Sequence, residues 1–406
     1  MMAKRIVLAA VFVMSASLAS AQDAGALKTI KIGVLNDMSG QIKDVAGPGS
    51  VVAAELAVQD YSNLLPNVKI EVIQADHQNN VDVAASVARR WLDTEHVDAI
   101  ADVPFSPAAL AVNEIVRNSP RGVALFSGAG TADITGSRCS PRTVQWTLDN
   151  WAIAHSTAKA VYQTGLKKWF FLVADFAFGH ALEAEGKAEI LASGGQIVGS
   201  VRVPYGQSDF SSFLLKAQSS DADVIGLANS TADTVNSIKQ AREFGIDGSG
   251  KKIVALSMLI SDLDAVGLQD GQGLYLTEPF YWDLNAGTRA FSARFAERMN
   301  GRPPGSVQAG VYGVVAHYLK AVAAIQSTDG GKVVAKMKEM PTDDPLFGAG
   351  RIRPDGRKIH NMYLFQAKAP GESKGRWDYY KLVRTIPAEE AFRPLKDGGC
   401  SLVDAK

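Results

Sequence analysis

The sequence predicts an α/β protein of two similar lobes, each built around a doubly wound parallel sheet. Three observations support this fold class. Short apolar segments alternate with amphipathic helical segments, the alternation restarts near residue 150, and the 406 residues exceed the size at which one hydrophobic core stops growing. No Pro/Gly/Ser-rich linker or run of charges divides the chain. We therefore expect the chain to cross between the lobes more than once.

The first alternating series ends before residue 130. Strands are predicted at residues 30–35, 68–74, 98–101 and 123–126, which are short apolar runs. Helices are predicted at residues 48–61, 81–91 and 107–117, where apolar residues recur at helical spacing. Pro48 or Ser50 suits the start of the first helix. Strands that alternate with helices predict right-handed βαβ units and a parallel sheet.

The second series repeats this pattern. Its predicted strands cover residues 168–173, 196–203, 224–228, 253–256 and 274–277, and its helices cover residues 151–163, 179–193, 210–218 and 231–244. A long helix is predicted at residues 305–324, and residues 361–367 (NMYLFQA) are predicted to form a late strand. Two successive series of this kind indicate two lobes of the same architecture.

The first residues have the pattern of a secretory signal peptide. Lys4 and Arg5 precede the apolar run IVLAAVFVM, and Ala19-Ser20-Ala21 is a small-residue cleavage site. The run has about half the length that a membrane span needs, and an uncleaved anchor is the alternative. We predict that residues 1–21 are removed by cleavage after Ala21 and that the remaining chain is exported and soluble.

Composition excludes several classes of function. The 42 basic and 42 acidic side chains balance, and no basic stripe is present to bind nucleic acid or an anionic membrane. The six histidines are scattered, and neither CxxC nor HExxH occurs, so no metal site is predicted. No cofactor motif is present either: in SGAGTADITG the third glycine of a dinucleotide fingerprint would fall on Asp133.

The two cysteines, Cys139 and Cys400, form an even pair in a chain predicted to be exported. One disulfide is therefore expected, and it would tie the C-terminal tail, residues 393–406, to a loop early in the chain. Two separate buried thiols are the alternative, because sequence alone does not show that the cysteines are close.

Candidate ligand-binding residues follow from the rule that open α/β sheets bind ligands beyond the carboxyl ends of their strands. In the first series these ends contain Ser39, Gln41, Phe105, Ser106, Ser127, Gly128, Ala129 and Thr131. In the second series they contain the segments 175–179, 229–231, 257–258 and 278–282. These ends share hydroxyls, small residues and aromatic rings.

The hydroxyls of the first series suggest a carboxylate site. Ser106 precedes Pro107 and is predicted to be the N-cap of a helix, with Pro107 at the first helical position. Ser127 and Thr131 sit in SGAGT, where small residues would let a carboxylate approach backbone N–H groups. Plain helix capping is the alternative for each of the three residues.

The aromatic residues have two interpretations as well. Phe178 lies beside Gly179 at a helix start, Trp151 opens the first helix of the second series, and Tyr281 follows the end of a strand. Each ring either lines a pocket or packs in a core. Catalytic patterns are scarce, since no GxSxG motif and no P-loop lysine occur, and Asp175 and His180 are explained as a cap and a surface residue. We expect a protein that is not an enzyme.

The chain resembles a known family of proteins. The segments KIGVLNDMSG, GPGSVVAAELAVQD, FSPAALAVNEIV, FSGAGTADITG, ADFAFGHALE and IKQAREFGI, in this order and spacing, resemble the type I periplasmic solute-binding proteins of ABC transporters, typified by leucine/isoleucine/valine-binding proteins. The resemblance implies two Rossmann-like lobes joined by a hinge of three crossovers, a small-molecule ligand trapped between them, permease subunits as partners and a periplasmic location. A monomer is expected. The lobes are assigned to residues 28–148 plus 278–356 and residues 149–277 plus 357–392.

The resemblance also implies which residues of this chain bind the ligand. Ser106 and the stretch of Ser127, Gly128, Ala129 and Thr131 match the carboxylate-binding part of the family's first lobe. Phe178 matches an aromatic position of the second lobe, Asn229 and Met258 fall where that lobe approaches the ligand, and Tyr281 lies where the chain returns to the first lobe.

One departure from the family pattern affects the ligand. Branched-chain amino-acid binders place an acidic residue near Met258, but the stretch LSMLIS has no acid before Asp262. A buried ammonium without a partner would be costly, unless Asp149 or Asp175 substitutes. The sequence therefore favours an aromatic carboxylate held among Phe178, Trp151 and Tyr281. The alternatives are a branched-chain amino acid or amide as ligand, a sensor of the same fold that signals to a receptor, or an α/β enzyme.

Overall fold

The computed structural model describes residues 27–404, with the side chains of residues 247 and 404 left out. The predicted signal peptide, residues 1–21, lies outside this range. Within it, no helix combines the length and the apolar character that a membrane crossing requires.

The first sheet has five parallel strands in the order β2-β1-β3-β4-β5. They are β1 (Thr29–Asn36), β2 (Lys69–Asp76), β3 (Ala99–Asp102), β4 (Val123–Phe126) and β5 (Thr143–Gln145), and the intervening helices are α1 (Gly47–Tyr61), α2 (Val81–Asp93) and α3 (Ser106–Asn118). The four predicted strands and three predicted helices of the first series are all present. Only the three-residue β5 was not predicted, because it is too short to show a period.

The second sheet has four parallel strands in the order β7-β6-β8-β9. They are β6 (Lys168–Ala174), β7 (Gln196–Val203), β8 (Val224–Ala228) and β9 (Lys252–Ala255). The surrounding helices are α4 (Asn150–Gln163), α5 (Ala177–Ala192), α6 (Ser211–Gln218), α7 (Thr231–Glu243), α8 (Ile260–Val266) and α9 (Leu268–Gly271).

A third, antiparallel sheet differs from the prediction. It has the order β10-β13-β14 and comprises β10 (Tyr275–Glu278), β13 (Met362–Ala367) and β14 (Tyr380–Ile386). Residues 274–277 were predicted to close the second parallel series, whereas β10 pairs with β13 instead. Strand β14 was not predicted because five of its seven residues are exposed, so its sequence lacks an apolar pattern.

The remaining elements complete the first lobe and the chain end. They are α10 (Ala286–Arg298), α11 (Ser306–Ile325), α12 (Gly330–Glu339), the short antiparallel pair β11 (Arg351–Ile352) and β12 (Lys358–Ile359), α13 (Ala388–Ala391) and α14 (Ser401–Asp404). Helix α11 is buried along most of its length and packs beside α1 on the first sheet. It is the long helix predicted at residues 305–324.

Each parallel sheet has buried apolar clusters around it, which defines two lobes. One cluster joins the first sheet to α1, α11 and α12, and another joins it to α2 and α3. Two further clusters surround the second sheet. The chain crosses between the lobes after β5, after β10 and after β12. The predicted fold class, two α/β lobes joined by three crossovers, is confirmed, and the residue boundaries of the lobes stay a prediction.

The crossovers meet around buried cationic side chains. Arg357 and Lys358 are fully buried, and Arg357 donates to the backbone carbonyls of Leu148, at 3.2 Å, and of Thr147. Its Nε lies 3.5 Å from a carboxylate oxygen of Asp149. A ring nitrogen of His360 lies 3.0 Å from the carbonyl of Thr147. Side chains of the third crossover therefore fix the backbone of the first.

The disulfide between Cys139 and Cys400 is present, with the two Cα atoms 5.6 Å apart. Its partners are 261 residues apart in sequence and both are buried. The prediction of one disulfide is confirmed, and the alternative of two separate thiols is excluded. The bond holds the end of the chain against the first lobe, where the Arg393 side chain donates to the carbonyl of Ala132 at 3.0 Å.

Candidate ligand-binding site

A cleft with about 600 Å³ of open space, part of it continuous with solvent, lies between the lobes. The residues that line it come from the carboxyl ends of strands in both sheets, together with Leu148 of the first crossover and Val307 of α11. The first lobe contributes Ile42, Val45, Pro104, Phe105, Ser106 and Gly128. The second lobe contributes Phe176, Phe178, Tyr205, Ser230, Thr231, Ser257, Leu259 and Asp262.

Three helices begin at this cleft. Helix α3 starts at Ser106, α5 at Ala177 and α7 at Thr231, and none of the three has a side-chain hydrogen bond that caps its N-terminus. The first N–H groups of a helix lack intrahelical partners and carry a partial positive charge. Their convergence on one cleft creates a site that favours an anion.

The Ser106 side chain corrects one sequence prediction. The N-cap of α3 is Phe105, so Ser106 is the first helical residue and Pro107 the second, and Ser106 makes no capping bond. Its hydroxyl is buried and has no hydrogen-bond partner among the described residues. Capping does not explain this serine, and its hydroxyl is available to a ligand.

Thr231 offers a second hydroxyl from the opposite lobe. Its Oγ1 is buried, and no hydrogen bond of standard geometry reaches it, although the Tyr205 hydroxyl lies beside it. Burial raises the pKa of Tyr205 to about 12, so its phenol keeps its proton at neutral pH. Ser106 and Thr231 thus provide hydroxyls at the starts of two helices, one from each lobe, and the Tyr205 hydroxyl is a neighbour of the second.

Four aromatic rings form the apolar part of the cleft. The Phe176 ring centroid lies 4.6 Å from that of Tyr205, 6.1 Å from that of Phe178 and 6.2 Å from that of Phe105. Phe105 belongs to the first lobe and the other three rings to the second. Rings from both lobes are therefore in contact across the cleft.

The small residues of SGAGT have a packing role that the sequence did not reveal. A Cβ atom on Gly130 would lie 2.5 Å from the Phe178 ring, so glycine is needed there for the ring to approach. The Ser127 hydroxyl donates to the carbonyl of Val307 at 2.5 Å, Thr131 accepts from the N–H of Asp133 at 3.3 Å, and Ala129 is fully buried. Of this stretch, only Gly128 lines the cleft.

Backbone strain is concentrated beside the cleft. Val103, just before Pro104, has φ of +51°, and Thr231 has φ of +53°. Both residues are β-branched, and such side chains rarely adopt the left-handed region. Strained positions of this kind cluster at ligand-binding sites, where the surrounding structure holds them in place.

Other predicted site residues do not line the cleft. Ser39 is exposed and donates to Asp76 at 2.7 Å. Gln41 is exposed and its side chain lies against Gly206 of the second lobe. Trp151 lines a separate cavity of the second lobe, where its ring stacks on that of His155 with centroids 4.1 Å apart.

Three further predicted residues serve the interior of the second lobe. Asn229 bonds to Ser237 and Thr234 at 3.1 and 2.8 Å. Met258 is buried in an apolar cluster that also includes Tyr281. The Tyr281 hydroxyl donates to the carbonyl of Trp377 at 3.2 Å. The structure thus brings Phe105, Ser106, Gly128 and Phe178 together but not these three.

Sequence reasoning missed several residues of the cleft. Phe176, Ser230, Thr231 and Ser257 lie in segments that the strand-end rule had marked, but they were not selected. Tyr205 follows β7, and the same rule would have found it had that strand end been included.

Asp262 is the acid of the cleft that the sequence argument set aside. It lies in the first turn of α8 and lines the cleft, whereas neither Asp149 nor Asp175 does. Asp149 caps α4 by accepting from the N–H of Ala152 at 2.8 Å, and Asp175 pairs with His180 at 2.7 Å. No group of three or more potential metal ligands occurs in residues 27–404.

A second buried acid lies behind Asp262. Glu278 accepts hydrogen bonds from the hydroxyls of Ser306 and Tyr380, both at 2.6 Å. Burial raises the pKa of Glu278 to about 8, against the two hydrogen bonds, which lower it. Burial likewise raises the pKa of Asp262 to about 7.

These acids predict a progressive loss of stability as the pH rises from about 5 to about 8, the interval between their ordinary and their raised pKa values. A carboxyl whose folded-state pKa exceeds its unfolded value stabilises the fold fully below the unfolded pKa, and this contribution is lost as the pH rises through the folded pKa. The slope reaches at most about 1.4 kcal/mol per pH unit for each group. Urea unfolding at several pH values measures it. The variant Glu278→Gln should show a shallower slope, and an unchanged slope would contradict the assignment.

The fold and the cleft define a class of protein: two α/β lobes with a cleft between them that is lined by helix starts, hydroxyls, aromatic rings and one acid. A family model described as a periplasmic binding protein matches residues 29–376. The chain belongs to this family, in its type I branch, and is a periplasmic substrate-binding protein of an ABC transporter. The resemblance stated from the sequence is confirmed. Members of the family bind small-molecule ligands and work with permease subunits.

Three solved structures are similar to this chain. A periplasmic binding protein of Burkholderia mallei is 45% identical, with a TM-score of 0.89 and coverage of 92% of this chain and 99% of that one. A branched-chain amino acid ABC transporter periplasmic ligand-binding protein of Burkholderia xenovorans is 40% identical, with a TM-score of 0.84 and the same coverage. An ABC transporter solute-binding protein of Rhodopseudomonas palustris, in complex with 3,4-dihydroxybenzoic acid, is 25% identical, with a TM-score of 0.79 and coverage of 89% and 98%.

Proposed function

We propose that this protein captures an aromatic carboxylate in the interlobe cleft, by closure of the two lobes around it, and passes it unchanged to the permease subunits of its transporter. One observation carries the proposal. The hydroxyls of Ser106 and Thr231, at helix starts of opposite lobes, lie in the same cleft as four aromatic rings.

The polar part of the cleft suits a carboxylate. Hydroxyls and helix N-terminal N–H groups donate hydrogen bonds to an anion, and each bond to a charged group contributes about 1.5–3 kcal/mol. Because Ser106 and Thr231 come from different lobes, a carboxylate bound to both would favour the closed arrangement over an open one.

The apolar part of the cleft suits a planar ring. Phe105, Phe176, Phe178 and Tyr205 offer ring faces and edges from both lobes. This set replaces Trp151 and Tyr281, which the sequence argument had paired with Phe178. The relative from Rhodopseudomonas palustris, crystallised with 3,4-dihydroxybenzoic acid, supports an aromatic acid as ligand.

Thermal-shift and calorimetric titration of the purified chain tests the proposal. Benzoate-type and cinnamate-type acids should raise the melting temperature, since a ligand at a hundredfold excess over Kd stabilises by about 2.7 kcal/mol. Leucine and valine are the comparison ligands, because the relative from Burkholderia xenovorans carries a branched-chain amino acid name. Stabilisation by these amino acids and by none of the aromatic acids would overturn the proposal.

The two hydroxyls give a sharper test. Ser106→Ala and Thr231→Ala should each weaken binding of the stabilising acid by about 1–3 kcal/mol, which is about 5- to 150-fold in Kd, because each removes one hydrogen-bond donor. Ser156→Ala is the matched control, since Ser156 is also buried but lines the separate cavity of the second lobe. Affinity unchanged in both cleft variants would place the carboxylate elsewhere.

We also infer export to the periplasm as a monomer, with cleavage after Ala21. Protein recovered from the periplasm should then begin at Gln22 by N-terminal sequencing.

A further inference from the structure

One carboxyl oxygen of Asp262 is left free in the cleft. Its Oδ2 accepts a hydrogen bond from the N–H of Leu259 at 2.9 Å, which fixes the side chain at the start of α8. The other oxygen has no hydrogen bond within residues 27–404, and the residue is only 6% exposed. Because this hydrogen bond orients the carboxyl group, its second oxygen also has a defined position.

The cleft contains no protein cation to pair with this carboxyl. No Lys, Arg or His is among the residues that line it. Of the charged groups around Asp262, Arg302 forms an ion pair with Asp44 at 2.7 Å, and Glu278 is bonded to the hydroxyls of Ser306 and Tyr380. The free oxygen faces the cleft that Asp262 lines, so a bound ligand can donate a hydrogen bond to it.

Asp262 lines the same cleft as the hydroxyls of Ser106 and Thr231. The residue before it, Ser261, lines a smaller cavity that shares Val45, Leu259 and Val307 with the cleft and includes none of the four rings. A ligand whose carboxylate binds the hydroxyls can therefore direct a ring substituent toward Asp262.

We propose that the ligand is an aromatic carboxylate with a hydrogen-bond donor on its ring, a phenolic hydroxyl or an aromatic amine, which donates to Asp262. The proposal rests on the function proposed above and narrows its ligand class. Asp262 is then a specificity-determining residue: it selects donor-bearing rings over unsubstituted rings and over rings whose substituent only accepts hydrogen bonds.

Calorimetric titration of the exported chain at pH 8 tests this with five acids: benzoate, 3-hydroxybenzoate, 4-hydroxybenzoate, 4-aminobenzoate and 4-methoxybenzoate. At this pH Asp262 is mostly ionised, because burial raises its pKa only to about 7. At least one donor-bearing acid should bind about 10- to 100-fold more tightly than both benzoate and 4-methoxybenzoate, as expected for one hydrogen bond to a charged group. The variant Asp262→Ala should reduce the affinity for that acid to the level of benzoate.

A matched control lies on the same helix. Asp264 pairs with Arg376 at 2.8 Å and does not line the cleft, so Asp264→Ala should keep the preference. Equal affinity of the wild-type chain for benzoate and for all donor-bearing acids would overturn the inference. A preference for donor-bearing acids that persists in Asp262→Ala would overturn it as well. Either result would leave the proposed function intact. If Asp262→Ala does not fold, the affinities of the wild-type chain for the five acids still test the inference. Binding of none of the five acids would instead contradict the proposed function.

Discussion

Replacing Arg357 by alanine is expected to lower the free energy of unfolding by about 3–5 kcal/mol, because the change leaves a buried charge without its partner. Arg357 is fully buried where the crossovers meet, and its guanidinium neutralises Asp149 across 3.5 Å. It also donates to the carbonyls of Leu148 and Thr147, and of these only the Thr147 carbonyl would keep a second neighbour, the His360 ring. Burial lowers the pKa of Arg357 to about 10, which leaves the side chain charged at neutral pH.

Urea unfolding followed by circular dichroism measures this loss. Arg351→Ala is the matched control, since Arg351 and its partner Glu389 are exposed and surface pairs of this kind contribute about 0–1 kcal/mol. The double variant Arg357→Met with Asp149→Asn should recover part of the stability, because it removes the unpaired charge and keeps the cap of α4. A loss for Arg357→Ala no larger than that for Arg351→Ala would show that the ion pair is not structural.

The second large effect concerns the disulfide. The double variant Cys139→Ser with Cys400→Ser should lower the free energy of unfolding by about 2–5 kcal/mol, because the bond closes a long loop and restricts the unfolded chain. The two cysteines are 261 residues apart, so the unfolded state gains much freedom when the bond is absent.

The comparison is made under oxidising and reducing conditions. Reductant in the presence of urea should destabilise the wild-type chain to the level of the double variant and leave the double variant unchanged. The tail should also become accessible to protease in the variant, since only local contacts such as the bond from Arg393 to Ala132 would then hold it. Equal stability of the two proteins would mean that packing alone fixes the tail.

Much of the fold was predictable because apolar periodicity marks parallel strands and their helices. Strand β4 and helix α7, for example, lie within a residue of their predicted bounds. The third sheet was not predictable in the same way. Strand β14 is mostly exposed, and the partner of β10 lies about 85 residues further along the chain, so neither leaves a local pattern.

The location of the site was predictable from the sequence, but the side chains that line it were not. Strand ends identified the regions of Phe105, Ser106, Gly128 and Phe178, because parallel sheets bind ligands at that edge. Which side chain points into the cleft depends on tertiary packing. Trp151 and Tyr281 lie at similar positions in the sequence, yet one ring faces a separate cavity and the other is in the core.

Asp262 lines the cleft, but the sequence did not identify it as a site residue. The resemblance predicts an acid near Met258 in a branched-chain amino-acid binder, and the acid of the cleft is four residues later, in the first turn of α8. Its position follows from the way the chain turns into that helix, which the local sequence does not specify.

The C-terminal segment adds a fourth covalent route between the lobes. Phe392 packs in an apolar cluster of the second lobe, and eight residues later the chain is bonded to Cys139 in the first. A series of rings connects this route to the crossovers: His360 lies 5.2 Å from both Phe392 and Phe347, and Phe347 lies 6.2 Å from Phe280. We therefore expect His360 to lie close to the axis about which one lobe rotates against the other.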